Sequence, residues 1–179
     1  MLYNINTKTL SDTHRLPLSK RWNPTQQIIL AAVHLALGLF LPFLTGQLPT
    51  LGKMISPMHF PVLLAAFLLG PIWGLILGAL TPILRSLIFT MPPMVPMAVC
   101  MAFEMGAYGL VTGLINQALF ERDSKQVARI YGSMVPGMIV GRLVYALVFW
   151  LFFDKVWTFK GFLGATVLGS WPGIVLQLI

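Results

Sequence analysis

Long, uninterrupted apolar segments constrain this chain more than any other feature. The stretch from Met58 to Phe89 contains one Asp, Glu, Lys or Arg, namely Arg85. Over the whole chain 57% of residues are hydrophobic and 9% are charged, whereas soluble domains carry about a quarter charged residues. The apolar runs also lack the alternation of a membrane β-barrel. The sequence therefore excludes a water-soluble globular protein and predicts an all-α polytopic membrane protein.

The apolar segments predict six transmembrane helices, since one span needs about 20 mostly apolar residues. Asn23-Pro24 predicts the start of the first helix, and Gly70-Pro71 predicts a tight turn that divides residues 58–89 into two short helices. Residues 1–25 are expected to form a cytoplasmic tail and residues 26–179 the membrane domain. The predicted spans are 26–45, the two halves of 58–89, 97–120, 130–153 and 161–179.

The basic residues predict the orientation of these helices. Of the Lys and Arg residues outside the spans, seven lie on the side of the N-terminus and three on the other side. Cytoplasmic segments are enriched in Lys and Arg, so both termini are expected in the cytoplasm. The same bias explains the excess of 12 basic over 5 acidic residues without a nucleic-acid partner.

Charged residues at membrane depth are costly and therefore mark candidate functional positions. Glu104 lies in the middle of the fourth span, and the spacing of Met101, Glu104 and Tyr108 places them on one helix face. Arg142 lies at a similar depth in the fifth span, one turn before Tyr145. Two interpretations stay open: Glu104 pairs with Arg142 for structural reasons, or it contacts a ligand. Both hold if the pair orients the carboxylate.

Five further residues are candidates for the same site or for a loop that covers it. Arg85 lies near the outer end of the third span, where it binds a ligand or extends to the lipid headgroups. His59 begins the second span, after a loop that contains Lys53 and Met54. Trp171, in the sixth span, provides either a stacking wall or a packing contact.

Motifs for catalysis and metal binding are missing from the sequence. The single cysteine excludes a disulfide framework, and the three histidines are too far apart for a metal-binding pair. There is no Walker-type phosphate loop, and neither Ser133 nor Ser170 is followed by a histidine that could act as its base. We therefore expect no cofactor, no metal and no enzymatic activity.

The residues also leave open two functions other than that of a subunit in a multi-protein importer. One is a self-sufficient secondary transporter with Glu104 as proton carrier, and the other is an intramembrane enzyme.

Several linked motifs resemble one family of membrane proteins over residues 26–179. Ala32 and Ala36 form a pair of small residues that lets another helix approach closely. The other motifs include Leu80-Thr-Pro-Ile-Leu-Arg-Ser86, Met101-Ala-Phe-Glu-Met-Gly-Ala-Tyr-Gly109 and Pro172-Gly-Ile-Val-Leu-Gln177. Together they resemble the substrate-binding S components of energy-coupling-factor (ECF) transporters, in particular a branch associated with hydroxymethylpyrimidine or vitamin B6-like substrates.

The resemblance implies a subunit in the bacterial plasma membrane that captures a vitamin or its precursor from outside. Its partners would be a transmembrane coupling subunit and two cytosolic ATPases, and transport would involve toppling of the subunit in the bilayer. The resemblance further implies that Ala32 and Ala36 dock on the coupling subunit and that the loop 46–57, with Lys53 and Met54, acts as a lid.

Glu104 favours a heteroaromatic substrate within this family, because a carboxylate accepts hydrogen bonds from an aminopyrimidine or a protonated pyridine. Pantothenate is the alternative substrate. As an anion, it would require Arg85, Arg142 or Lys53 to be free of an acidic partner. The predicted substrate-binding residues are Glu104, Arg142, Tyr108, Met101, His59, Arg85, Tyr145 and Trp171.

Overall fold

A computed structural model describes residues 22–45, 57–121 and 125–152, and all regular secondary structure in these ranges is helical. This confirms the predicted all-α class for the described residues. A 3-10 turn (Leu41–Thr45) follows the first helix, and a π-helical turn (Met94–Ala98) precedes the fourth. The helices are α1 (Pro24–Phe40), α2 (His59–Leu69), α3 (Pro71–Phe89), α4 (Val99–Glu121) and α5 (Gln126–Phe152).

Four helical segments in the described residues are long and apolar enough to cross a membrane: Pro24–Phe43, Pro71–Phe89, Met94–Phe120 and Gln126–Phe152. The second predicted span corresponds to α2, which has 11 residues and is about 16 Å long. It is thus shorter than the bilayer's hydrocarbon core of about 30 Å. The N-terminal tail and the sixth predicted span lie outside the described residues. The total of six spans, the cytoplasmic termini and the division at residue 26 stay predictions.

The helix boundaries confirm two sequence signals and correct a third. Pro24 is the first residue of α1, and the backbone N–H of Asn23 donates to Gln26 Oε1 at 3.1 Å. The predicted turn between α2 and α3 is present, and Gly70 adopts φ 95°, a value that favours glycine. By contrast, α5 begins at Gln126, one turn before the predicted start at residue 130. Part of the predicted charged link is therefore helical.

Glycines bring α3 and α4 into direct backbone contact. A Cβ atom added to Gly74 would lie 2.7 Å from the carbonyl oxygen of Gly109, and one added to Gly78 would overlap the carbonyl of Met105. Glycines spaced by four residues permit this close approach between membrane helices. The contact fixes the depth of α4, and hence of Glu104, relative to α3.

A second pair of glycines, Gly137 and Gly141, brings α5 close to α4. A Cβ atom at Gly141 would lie 3.1 Å from the carbonyl oxygen of Glu104 and 3.3 Å from Tyr108 Cβ. Helix α2 packs against α4 from another side, and α1 packs against α2 and α3. Helices α2, α4 and α5 therefore contribute side chains to a common region beside Glu104. We call the end of the bundle where α1 and α3 terminate the outer end, because the charge distribution predicts that it faces outside.

Candidate functional site

A small cavity lies where α2, α4 and α5 meet. It has space for about one water molecule. His59 enters it from the first turn of α2, Glu104 from the second turn of α4, and Arg142 from the middle of α5. The side chains and backbone that line it belong to His59, Glu104, Tyr108, Met138, Gly141 and Arg142.

Glu104 is the central acidic group of this cavity, and it is 4% exposed. Arg142 Nη1 lies 2.9 Å from Glu104 Oε1, so the two form an ion pair. A buried carboxylate is stabilised only if a charge or several hydrogen bonds compensate its loss of water. The predicted Glu104–Arg142 pair is therefore present, and Arg142 provides the compensating charge. The Arg142 side chain remains 24% exposed.

His59 and Tyr108 form an aromatic wall beside the ion pair. Their ring centroids are 5.7 Å apart with an interplanar angle of 67°, an edge-to-face arrangement. His59 Nε2 lies 4.0 Å from the Glu104 oxygen that binds Arg142. Tyr108 is 2% exposed and packs with Leu63 and Met134. This packing buries Tyr108 beside His59.

The cavity combines a carboxylate, a guanidinium, an imidazole and a phenol around a small space. The charges of Glu104 and Arg142 cancel, so the site carries little net charge when His59 is neutral. It nevertheless offers both hydrogen-bond donors and acceptors. Such a site suits an uncharged molecule with several polar atoms better than an anion.

Two predicted ligand contacts lie outside this lining. Met101 packs against Met58, Val62 and Met105 in an apolar cluster. Tyr145 stacks on Phe149 with a centroid distance of 6.2 Å, further along α5 from Arg142. The predicted face of α4 therefore contributes Glu104 and Tyr108 to the cavity, whereas its methionine contributes to helix packing.

Arg85 is also separate from the cavity. It is 3% exposed, and its guanidinium donates a hydrogen bond to the backbone carbonyl of Leu39. It lies over the rings of Phe43 and Phe89. The interpretation that Arg85 extends to the lipid headgroups is wrong, because the side chain is buried between α1 and α3. The remaining predicted site residues, Lys53, Met54 and Trp171, lie outside the described residues.

Met138 and Gly141 line the cavity and are not among the site residues predicted from the sequence. Met138 is the methionine that contacts this space, in place of Met101. The four-residue spacing of Gly137 and Gly141 was the available signal, because it indicates close helix approach at the depth of Arg142.

Ala32 and Ala36 lie on the exposed face of α1, turned away from α2 and α3. Large apolar side chains on the same helix are exposed as well, including Ile29 and Phe40. The small side chains leave a shallow strip along this apolar surface. Such a strip permits close approach of another membrane helix.

The model of a known protein family matches residues 26–179 and therefore most of the chain. The matching family is described as the ECF transporter, substrate-specific component. Comparisons with curated proteins and with solved structures found no match. The matched residues include nearly all of the described helices and every residue that lines the cavity. This chain therefore belongs to the family of substrate-specific components of ECF transporters.

Proposed function

We propose that this protein captures a small heteroaromatic vitamin or precursor, of the hydroxymethylpyrimidine or pyridoxine type, in the cavity between α2, α4 and α5. Membership in the family makes the chain a substrate-binding, non-enzymatic subunit of a transporter complex with coupling and ATPase subunits. The observation that carries the proposed substrate class is the buried Glu104–Arg142 pair inside the cavity.

The ion pair favours an uncharged or weakly basic ligand over an acidic one. An aminopyrimidine can donate its amino hydrogens to Glu104 and accept a hydrogen bond from Arg142 at a ring nitrogen, so the pair stays intact. Pantothenate would bring a second carboxylate that competes with Glu104 for Arg142. Since a buried carboxylate that loses its partner is strongly destabilised, binding of pantothenate would be opposed.

The walls of the cavity also suit a flat ring. The rings of His59 and Tyr108 meet edge to face, so a ring edge and a ring face border the cavity. Met138 adds a flexible, polarizable side chain that adapts to the ligand's outline. The space present holds about one water molecule. Binding therefore requires outward movement of Met138, because the Glu104–Arg142 pair stays in place.

Three further parts of the function follow from the family resemblance. The face of α1 with Ala32 and Ala36 docks on the coupling subunit, and the exposure of both alanines supports this assignment. The loop 46–57, with Lys53 and Met54, closes over the ligand. Toppling of the subunit in the bilayer, driven by ATP hydrolysis in its partners, releases the ligand inside.

The substrate proposal is tested by calorimetric titration of the purified, detergent-solubilised protein with hydroxymethylpyrimidine, pyridoxine and pantothenate. We expect one of the first two to bind in the nanomolar to low micromolar range and pantothenate to bind at least about 100-fold more weakly, a difference of about 2.7 kcal/mol. Tighter binding of pantothenate would contradict the proposal. Uptake by this chain alone, in vesicles without the ATPases, would instead support a secondary transporter.

A further inference from the structure

Arg85 is a buried cation that the candidate binding site does not use. It lies in α3, near the outer end, and is 3% exposed. Among the described residues no carboxylate lies within ion-pair distance of it. Because a charged side chain within the membrane is costly, its contacts with neutral groups require an explanation.

The first of these contacts is made with the C-terminal end of α1. Leu39 is the second-last residue of α1, and the last four carbonyl groups of a helix have no partner within the helix. Arg85 donates Nη1–H to the Leu39 carbonyl oxygen. A cation that binds a C-terminal carbonyl also interacts favourably with the helix dipole. Arg85 therefore caps a helix other than its own.

The second set of contacts joins the segment after α1 to the end of α3. The Arg85 guanidinium carbon lies 5.1 Å from the ring centroid of Phe43 and 5.5 Å from that of Phe89. The two rings meet edge to face, with centroids 4.9 Å apart. Phe43 belongs to the 3-10 turn after α1, and Phe89 is the last residue of α3. One side chain thus connects α1, this turn and α3.

The α1–α3 contact contains a further polar contact away from Arg85. Near the other end, Trp73 Nε1–H donates to Gln27 Oε1 at 3.0 Å. Close to Arg85, Gly38 of α1 rests on Thr81, and a Cβ atom at Gly38 would lie 2.8 Å from Thr81 Cγ2. Helix α1 is therefore hydrogen-bonded to α3 near both of its ends, through Gln27 and Leu39. Ala32 and Ala36 lie between these two contacts.

We propose that Arg85 is a positioning residue for assembly of the transporter complex: it fixes the outer end of α1 on α3, so that the Ala32/Ala36 face meets the coupling subunit at a fixed angle. This inference rests on the proposed docking role of that face. Arginine suits the position because its planar guanidinium stacks on aromatic rings while its N–H groups donate to a carbonyl oxygen. A lysine ammonium can donate to the carbonyl oxygen and attract an aromatic face, but it has no planar group that stacks on both rings.

The first test compares Arg85→Met and Arg85→Lys with Lys125→Met, which removes an exposed basic residue from the opposite end of the bundle. We expect Arg85→Met to weaken association with the purified coupling and ATPase subunits by about tenfold or more, as for loss of one charge-assisted hydrogen bond. Arg85→Lys should cause a smaller loss, and Lys125→Met should have no effect. Affinity for the small-molecule substrate should stay within about twofold, as for substitutions away from a site.

The second test replaces the Arg85 contacts by a covalent link. An ideal Cβ atom at Gly38 lies 3.7 Å from Thr81 Cβ, within the range of about 3.5–4.5 Å that a disulfide needs. We therefore combine Gly38→Cys and Thr81→Cys with Arg85→Met. The oxidised triple variant should associate with the complex as well as the oxidised double variant does, and reduction should restore the defect. If Arg85→Met alone folds poorly, the two oxidised proteins still provide the comparison.

Three results would overturn the inference. The first is unchanged association of Arg85→Met with the complex. The second is a parallel loss of substrate affinity, which would make Arg85 a ligand contact. The third is failure of the closed disulfide to restore association. Failure of the docking role itself is distinguishable from failure of the inference, because Ala32→Leu combined with Ala36→Leu would then leave association with the complex unchanged. Failure of the proposed substrate class concerns only the ligands bound by the unaltered protein.

Discussion

Arg142 Nη1 lies 2.9 Å from Glu104 Oε1, in a cavity where the backbone of Gly141 approaches the carbonyl of Glu104. The glycine and the arginine are neighbours in sequence, and the glycine explains how the arginine reaches Glu104. The absent side chain of Gly141 lets α5 approach α4 closely enough for Arg142 to reach the carboxylate. The pair then provides the polar centre of an otherwise apolar helix bundle.

Removal of the Glu104 charge should weaken substrate binding. Glu104→Gln keeps the shape of the side chain but turns a charge-assisted hydrogen bond into a neutral one. We expect a loss of about 1–3 kcal/mol in binding free energy, measured by calorimetric titration. The control is Glu121→Gln at the end of the same helix, about 25 Å along its axis. Unchanged affinity of Glu104→Gln would assign Glu104 to helix packing alone.

Removal of either member of the ion pair should destabilise the protein more than removal of both. Arg142→Met leaves a buried carboxylate without its partner and should cost about 3–5 kcal/mol. Glu104→Met should cost less, because the Arg142 side chain is 24% exposed and reaches solvent more easily. The double variant should be more stable than either single variant in thermal unfolding in detergent. Additive losses would show that the two residues act independently.

Leucines at the two exposed alanines of α1 should separate assembly from substrate binding. Ala32→Leu combined with Ala36→Leu fills the shallow strip and prevents close helix approach. We expect transport and association with the coupling subunit to be lost while substrate affinity is retained. Ala118→Leu with Ala128→Leu, at exposed alanines of α4 and α5, is the matched control. Loss of substrate binding in the α1 variant would instead assign this helix to the binding site.

A methyl group at Gly141 should occupy the cavity. The added Cβ atom would lie 3.1 Å from the Glu104 carbonyl oxygen and 3.3 Å from Tyr108 Cβ. We expect Gly141→Ala to lose about 1–3 kcal/mol of stability, as in other overpacked sites, and to weaken substrate binding. Gly132→Ala is the control on the same helix, since its Cβ atom would meet only the flexible end of Leu119, at 3.3 Å. Equal effects of both variants would argue against a role of Gly141 in the cavity.

The sequence predicted those features that depend on local signals or on depth in the membrane. Asn23-Pro24 and Gly70-Pro71 marked helix boundaries through backbone constraints that act locally. Glu104 and Arg142 were identified because unpaired charges are costly at membrane depth. Helical spacing shows which residues share a face, but it does not show which neighbouring helix covers that face. For this reason Met101 was assigned to the cavity and Met138 was not, and the contact of Arg85 with the end of α1 was not foreseen.

The central claim is that the cavity around Glu104 and Arg142 binds a small heteroaromatic vitamin or precursor. Mass spectrometry of the small molecules released on denaturation of the purified full chain tests it most directly, because it requires no choice of candidate ligand. We predict a hydroxymethylpyrimidine-like or pyridoxine-like mass in near-stoichiometric amount, and its depletion in the Glu104→Gln variant. Release of pantothenate or another carboxylic acid, retained in that variant, would contradict the claim.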